Sequence, residues 1–476
     1  MKIKHLHIGL SVALLSLVAT SCLPTTKDEI DDSRFDDAYI THFELDTLAL
    51  GKSYAFTIDQ ERGYIYNQDS ILPLEAKKLK QIRIKNIKNY SGNIAIKLPS
   101  ESKERFLVID SAFDLSRNAA LISTAIYGRK KNYELDIRVH RRHPDFLSWG
   151  KEEYLKTPIT DAVQPRVVEL DNTMYMFVKG TNKGAKTEIT PNATGSNVYY
   201  GKAWEEFTIT TNRLRAETAV VYAGNIYAVN EDGELFKSKD GVNWDVCAEL
   251  AGKKVLYPLI GLEDAKNKNI EKGGLAVVVE EDGERFFAVT NKEANGWENI
   301  DKVEAKVPAD FPVSSLSSVA RTLSNGVINA VCMGNVGEDY SVKYVWTTEN
   351  GKVWLPVKSK EAEATLKIKN PNIIWYNNKY YVTGLTADGA LDCFFSSRTL
   401  VDWKKEDYKF SIPGTKLNEK QREEVNEEGV NSISIHNLEV DLAVKIDANN
   451  YIWLFTGKGG NSTWRGKLNK LGFALK

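Results

Sequence analysis

Five stretches of this chain reach a tryptophan by the same route: a short apolar strand, a turn holding Gly or Asn, a second strand often rich in Tyr, a third strand and a polar turn. In residues 218–244 the pieces read AVVYAG, NIYAVNEDG and ELFKSKDGVNW. The layout recurs in 166–204 (VVELDN, TMYMFVKG, NVYYGKAW), in a longer form up to Trp297 (GLAVVVEEDG, ERFFAVTNKEANGW), in VKYVWTTENGKVW ending at Trp354, and in 372–403 (NIIWYNNKYYVTG, DCFFSSRTLVDW). The closing residues Trp204, Trp244, Trp297, Trp354 and Trp403 lie 40 to 57 residues apart, close to the roughly 40–50 residues of a propeller blade. A repeat of this kind buries its faces only against its neighbours, so the units must stack.

The ends of the repeat region complete each other. Trp149, in DFLSWGKEEYL, has the closing tryptophan and no blade before it, while 442–473 supplies three strands (LAVKIDANN, YIWLFTG, TWRGKLNKLGF) and then the chain stops. An outermost strand from the start of the region is expected to complete the last blade, giving six blades in a ring with no unpaired interior edge.

Two closing turns carry a further pattern. The segment 238–244 (SKDGVNW) resembles the Asp-box, S-x-D-x-G-x-x-W, with one residue fewer between Asp and Gly, and 348–354 (TENGKVW) is a looser copy with Asn350 in the Asp place. Ser or Thr and Asp or Asn accept backbone N–H bonds in a tight turn, and Gly takes a φ that other residues resist. The motif is architectural. Asp-box propellers include sialidases, so an arginine cluster, a tyrosine nucleophile and an acid/base Asp are sought. Arg166, Arg215 and Arg321 fall near predicted innermost strands and are the candidate ligand-binding residues at the axial mouth, although 164–167 (QPRV) does not reproduce the Arg-Ile-Pro signature of that family.

Ahead of the repeats, residues 39–142 alternate with the period of two expected of half-buried strands. Tyr54, Phe56 and Ile58 alternate, as do Ile82 and Ile84, then Ile94, Ile96 and Leu98, and Tyr133, Leu135, Ile137 and Val139. About seven short strands over this length suit an immunoglobulin-like sandwich. The fold expected is therefore all-β: an Ig-like β-sandwich over 39–142, then a six-bladed β-propeller over 143–476 closed by the Trp149 strand. The Arg- and His-rich stretch 138–144 reads as a solvated link between them. The charged run 419–428 reads as a solvated insertion before the last blade.

At the N-terminus Lys2 and Lys4 precede an apolar run from Ile8 to Ala19, and Ala19-Thr20-Ser21 leads into Cys22. The run falls short of the roughly 20 residues that span a bilayer, so residues 1–21 read as a secretion signal. Small residues before a cysteine resemble a lipobox, which implies a lipid anchor on Cys22, with 22–38 as an acidic tether. Acidic residues just past such a cysteine resemble a surface-export signal, which implies the outer membrane with exposure to the medium; the periplasmic face is the alternative. The formal net charge of −1, mixed along the chain, provides no basic field for nucleic acid.

Catalytic and metal patterns are not found. Cys247, Cys332 and Cys393 are widely spaced and read as apolar core residues; only His42, His140, His143 and His436 remain after signal removal. The glycines of 457–460 (GKGG) lack the spacing of a phosphate loop. No cofactor and no metal are expected. Trp346, Trp375 and Trp453 lie outside the closing positions and read as core before they read as sugar-stacking faces.

With NQDSILP at 67–73 and TWRGKLNKLGF at 463–473, the chain resembles a family of Bacteroidales surface lipoproteins that pair an Ig-like domain with a kelch- or Asp-box-like propeller. That resemblance implies a fold and a location and no reaction. The function expected is a cell-surface binding or scaffold protein for a glycan or a protein; the alternative is a sialidase-like glycoside hydrolase of the propeller type.

Overall fold

The computed structural model describes residues 35–149, 157–160, 162–189, 203–263, 273–336, 342–358, 366–386, 389–390, 394–413, 415–425, 441–456 and 463–468. Residues 1–21, read as a secretion signal in the sequence, and Cys22, Cys393, His436 and residues 457–460 lie outside them. The chain divides into two compact units after Arg138, with residues 72–74 going with the second.

The first unit is built from two sheets. One has three strands, with Ile82–Lys88 between His42–Leu45 and Ala112–Phe113. The other has six, in the order Phe56–Asp59, Tyr64–Asn67, Lys130–Asp136, Ala119–Thr124, Asn93–Lys97 and Arg105–Phe106. Alternation works as the sequence suggests: Ile82 and Ile84 are buried while Arg83 and Lys85 face solvent. The unit nevertheless holds nine strands among its described residues, more than the seven expected, because segments as short as Arg105–Phe106 pair. One pairing, Tyr64–Asn67 with Lys130–Asp136, is parallel. The Tyr133 hydroxyl ties its buried ring into place, accepting the Ile40 N–H at 3.1 Å and donating to Gln60 Oε1 at 2.5 Å.

The second unit is a ring of six antiparallel sheets. Blade one comprises Arg166–Leu170, Thr173–Phe177, Lys183–Glu188 and Glu205–Thr208; blade two comprises Leu214–Tyr222, Asn225–Asn230, Leu235–Ser238 and Asp245–Val246. Blade three has Lys254–Leu262, Gly274–Glu281 and Glu284–Val289, and blade four has Ser314–Thr322, Ile328–Asn335, Val345–Thr348 and Leu355–Val357. Blade five is built on Lys369–Tyr376, Lys379–Thr386, Phe395–Ser397 and Lys404–Lys405. Blade six takes Leu442–Ile446, Ile452–Thr456 and Thr463–Leu468 from one end of the propeller sequence and Leu147–Trp149 from the other. Each innermost strand packs against the next around the ring, and that of blade six against that of blade one, so the ring is closed.

The closing pairs are Leu147 with Leu468, Ser148 with Lys467 and Trp149 with Gly466. Gly466 is required there, since a Cβ would stand 2.6 Å from the Trp149 ring. The Trp149 indole N–H donates to the Ser411 carbonyl at 2.9 Å.

Six buried apolar clusters, one at each blade–blade interface, supply the cohesion. Ile452 and Leu454 face blade five while Trp453 and Phe455 face blade one, so every residue of Ile452–Thr456 is buried. A strand covered on both faces reads as a continuous apolar run. Each large side chain shut away there contributes about 1.5–3 kcal/mol relative to exposure.

The closing turns hold themselves together by the bonds their residue types allow. In the blade-two turn, Asp240 Oδ1 accepts the Val242 and Asn243 N–H groups at 2.9 and 2.8 Å, and Ser238 Oγ accepts the Gly241 N–H at 2.9 Å. The Trp244 indole N–H returns to the Gly241 carbonyl at 2.9 Å. Thr348, Asn350, Gly351 and Trp354 repeat this in blade four. A third copy in blade five was hidden in the sequence because Leu400 stands in the Gly place at φ 69°. Its N–H still donates to Ser397 Oγ at 2.9 Å, and the Trp403 indole still reaches its carbonyl at 3.1 Å.

Two sequence expectations need correction. The third strand of blade one is Lys183–Glu188, whose Gly184 lets Phe207 lie close; most of the NVYYGKAW stretch assigned to it lies outside the described residues. His143 is buried, with Nδ1 accepting the Asp145 N–H at 3.1 Å and its own N–H donating to the Val425 carbonyl at 3.3 Å. The run at 419–428, read as a solvated insertion, begins as a mostly exposed helix, Glu419–Val425, with Val425 its buried residue. Asn418 and Gln421 cap it reciprocally at 2.9 Å, and Glu424 accepts from the Tyr408 hydroxyl at 2.7 Å and the Lys409 ammonium at 2.7 Å.

Candidate functional site: the axial cavity

The innermost strands of all six blades surround a cavity of about 520 Å³ on the propeller axis. At the end where these strands begin, four consecutive blades from four to one form an arc of polar side chains. Asn370 of blade five is its centre: Nδ2 donates to Asp441 Oδ1 of blade six at 2.6 Å, and Oδ1 accepts from Ser315 Oγ of blade four at 2.5 Å and from Gln164 Nε2 at 3.2 Å. Gln164 leads into blade one, and its N–H donates to Asp441 Oδ2 at 2.9 Å.

Three members of the arc, Gln164, Ser315 and Asn370, have φ of 43°, 49° and 49°. Non-glycine residues reach that region at a cost of roughly 1–2 kcal/mol, so the bonds among them hold a strained rim in place. Gln164 and Asn370 each precede a proline (Pro165, Pro371), and that recurring polar–Pro step ahead of an inner strand was the available sequence signal.

Arg166 lies just inside. Its Nε donates to the Ala219 carbonyl of blade two at 2.8 Å and its Nη1 to the Leu316 carbonyl at 3.1 Å. Leu316 belongs to blade four, diametrically opposite blade one in a six-membered ring, so this side chain bridges the axis. Burial pushes the guanidinium pKa down, yet the group keeps its charge.

The other two arginines go elsewhere. Arg215 also lines the cavity, but Nη1 donates to the Leu256 carbonyl at 3.0 Å and Nε sits 3.6 Å from Glu217. Arg321 lies outside the lining, with its guanidinium 4.0 Å from the Trp375 ring centroid and 5.3 Å from that of Tyr380. The three cations therefore do not converge on a single point. Tyr257, the tyrosine of the cavity wall, is buried and its hydroxyl is pushed up to about 12 by that burial, the reverse of activation as a nucleophile.

Deeper along the strands sit Lys445 of blade six and Glu169 of blade one. Burial, its main cause, holds the Lys445 ammonium below its ordinary range; Arg166 pushes the same way and Glu169 opposes. Burial likewise raises the Glu169 carboxyl, against the pull of Lys445 and the Ala448 N–H that donates to it at 3.3 Å. A lone Lys in LAVKI and a lone Glu in VVEL were the signals in otherwise apolar strands.

Elsewhere Cys247 and Cys332 are buried free thiols, each pushed up to about 12 by burial. Among the described residues no cluster of His, Cys, Asp and Glu has the makings of a metal site, and no helix is long and apolar enough to cross a membrane.

Six antiparallel sheets of three to five strands closed around an axial cavity define a β-propeller of all-β class. Residues 143–476 match the DUF6242 beta propeller domain and residues 24–137 the DUF6242 N-terminal domain, a domain of unknown function; the chain belongs to the DUF6242 family. No curated protein matches it. Among solved structures it is similar to YCF48 bound to a D1 peptide, at 12% identity and a TM-score of 0.36, covering 68% of this chain and 98% of that one. It is similar also to a putative exo-β-1,3-galactanase from Bifidobacterium bifidum s17 (9%, TM-score 0.28, 66% and 90% covered) and to the Trypanosoma rangeli sialidase (12%, TM-score 0.27, 68% and 60% covered). Likenesses of this size leave ligand and reaction undecided.

Proposed function

We propose that the chain is an exported lipoprotein, anchored through Cys22 in the outer membrane and displayed at the cell surface, whose propeller binds a glycan or a protein without transforming it. In this reading the Ig-like N-terminal unit spaces the propeller from the membrane. The observation that carries the binding role is the use made of the axial charges. Arg166 is spent on carbonyls of two other blades, Arg215 on a carbonyl and Glu217, and Asp441 on the rim network. Such groups shape and charge a cavity, whereas a glycosidase needs two carboxyls free to exchange protons or attack, about 5 to 10 Å apart.

The test uses the soluble chain from Asp28 onward on a broad array of host and plant glycans, with the same mixtures checked for released sugar. Binding without release is the expected result. Release of sugar overturns the reading in favour of the hydrolase alternative. A chain that binds no glycan, and that co-purifies with no protein from intact cells, removes the binding role altogether.

A further inference from the structure

The cavity holds more positive charge than its own acids neutralise. Asp441 has both oxygens committed to N–H donors, and Glu217 faces Arg215. Glu263 accepts the Ala223 N–H and Lys179 donates to Gln164 Oε1 at 2.9 Å, so the lining sets four cations, Arg166, Lys179, Arg215 and Lys445, against three carboxyls, Glu217, Glu263 and Asp441. Glu169 stands beside the lining, and burial biases its carboxyl toward the neutral form. Lys445, on the cavity wall, makes no hydrogen bond or close ion pair among the described residues. Arg166 offers Nη2, which is likewise uncommitted among them once Nε and Nη1 have found their carbonyls. An ammonium with only the field of Glu169 to offset its burial is costly, and this ammonium and the open edge of Arg166 on one cavity form a site for an anion.

The remaining walls say what size and polarity the anion has. A volume of about 520 Å³ falls in the range of roughly 300–1,000 Å³ that holds small-molecule ligands and is far larger than a bare ion requires. Ser318 Oγ donates to the Leu259 carbonyl at 2.6 Å and Thr218 Oγ1 to the Arg215 carbonyl at 2.7 Å. Thr218 Oγ1 also accepts the Val229 N–H at 3.2 Å, and the acceptor capacity left on these two oxygens, greater on Ser318, suits a ligand that carries hydroxyl donors. We propose that the axial cavity binds a carboxylate on a hydroxylated, sugar-ring-sized molecule, an acidic monosaccharide or the acidic unit of a longer glycan, with Lys445 and the free edge of Arg166 as its charge partners. This rests on the reading of the propeller as a binding module and names the class of ligand.

Glucuronate, galacturonate, glucose and acetate are titrated into the soluble chain from Asp28 onward and into Lys445→Met, with thermal midpoint and calorimetric affinity as readouts. Methionine keeps the length of the stem and removes the charge, so the variant is expected to melt no lower than the parent. In the parent a uronate should raise the midpoint and glucose should not, with acetate weaker than either uronate; in Lys445→Met the uronate affinity should fall roughly tenfold or more. No uronate effect in the parent, an equal effect with glucose, or an unchanged affinity in Lys445→Met each overturns the proposal. Array binding that survives Lys445→Met rejects this site while leaving the binding role intact, and sugar release rejects the binding role whatever the uronates do.

Discussion

Arg465 donates from Nη2 to Asp447 Oδ2 at 2.7 Å with both side chains closed off from solvent, at 1% and 0% exposure. Asp447 also accepts the Trp453 indole N–H at 2.8 Å and the Asn449 and Tyr451 N–H groups at 2.9 Å, while the Tyr451 ring lies 3.9 Å from the guanidinium. The pair ties the turn between the two innermost strands of blade six to the third strand, Thr463–Leu468, on which Arg465 lies. Removing one partner strands a buried charge, so Asp447→Ala should lower stability by about 3–5 kcal/mol in urea unfolding. Replacing both, as Asp447→Leu with Arg465→Met, should recover much of that loss. A single variant that unfolds at the parental midpoint would show the pair to be dispensable.

The polar rim makes a separate prediction. Asn370→Ala deprives Asp441 of a donor, deprives Ser315 and Gln164 of an acceptor, and leaves an alanine at φ 49°. A loss of about 2–3 kcal/mol is expected. Asn370→Gly relieves the backbone but restores none of the bonds, so it should be less damaging than alanine and still worse than the parent. Thermal melts of the two variants decide between strain and hydrogen bonding as the greater part.

Asp240 and Asn350 do the same work in sister turns, which makes the blades a control for each other. Asp240→Asn keeps an acceptor for the Val242 and Asn243 N–H groups, as Asn350 does for Lys352 and Val353. It should cost under about 1 kcal/mol, against roughly 1–2 kcal/mol for Asp240→Ala, the scale of a lost cap. Equal losses in the two variants would mean that charge, not acceptor geometry, holds the turn.

His143 gives the propeller a pH dependence. Burial first, and then the charge of Lys409, hold its imidazole below the ordinary value near 6.5. The unfolded chain therefore binds this proton more readily than the folded one, and stability falls as pH drops from about 6.5 toward the depressed folded value. Midpoints measured between pH 8 and 5 should decline less steeply for His143→Gln than for the parent. Parallel curves would remove His143 as the source.

The propeller was legible because its periodicity is chemical as well as numerical: a tryptophan closes a turn whose Asp, Gly and Ser each have one job. Leu400 escaped notice for the same reason, since the backbone tolerates a left-handed leucine where its side chain is buried at the blade four–five interface. The rim was illegible because Gln164, Ser315, Asn370 and Asp441 are scattered over the sequence and meet only when the ring closes. The arginines could be placed near inner strands by pattern. Where each guanidinium points depends on which carbonyls other blades leave open, as Arg166 with Leu316 and Arg321 over Trp375 show.

The joining of Leu147–Trp149 to Thr463–Leu468 in one sheet gives the ring its clasp from the first and last strands of the propeller. Five blades can be synthesised while the ring still gapes between blades five and one. A protease that clips the chain just before Thr463 would take away the strand that holds the first segment in place, and blade six would lose two strands at a single cut. One pairing between the two strands farthest apart in the propeller sequence thus decides whether the ring is shut, and the loss of either opens it.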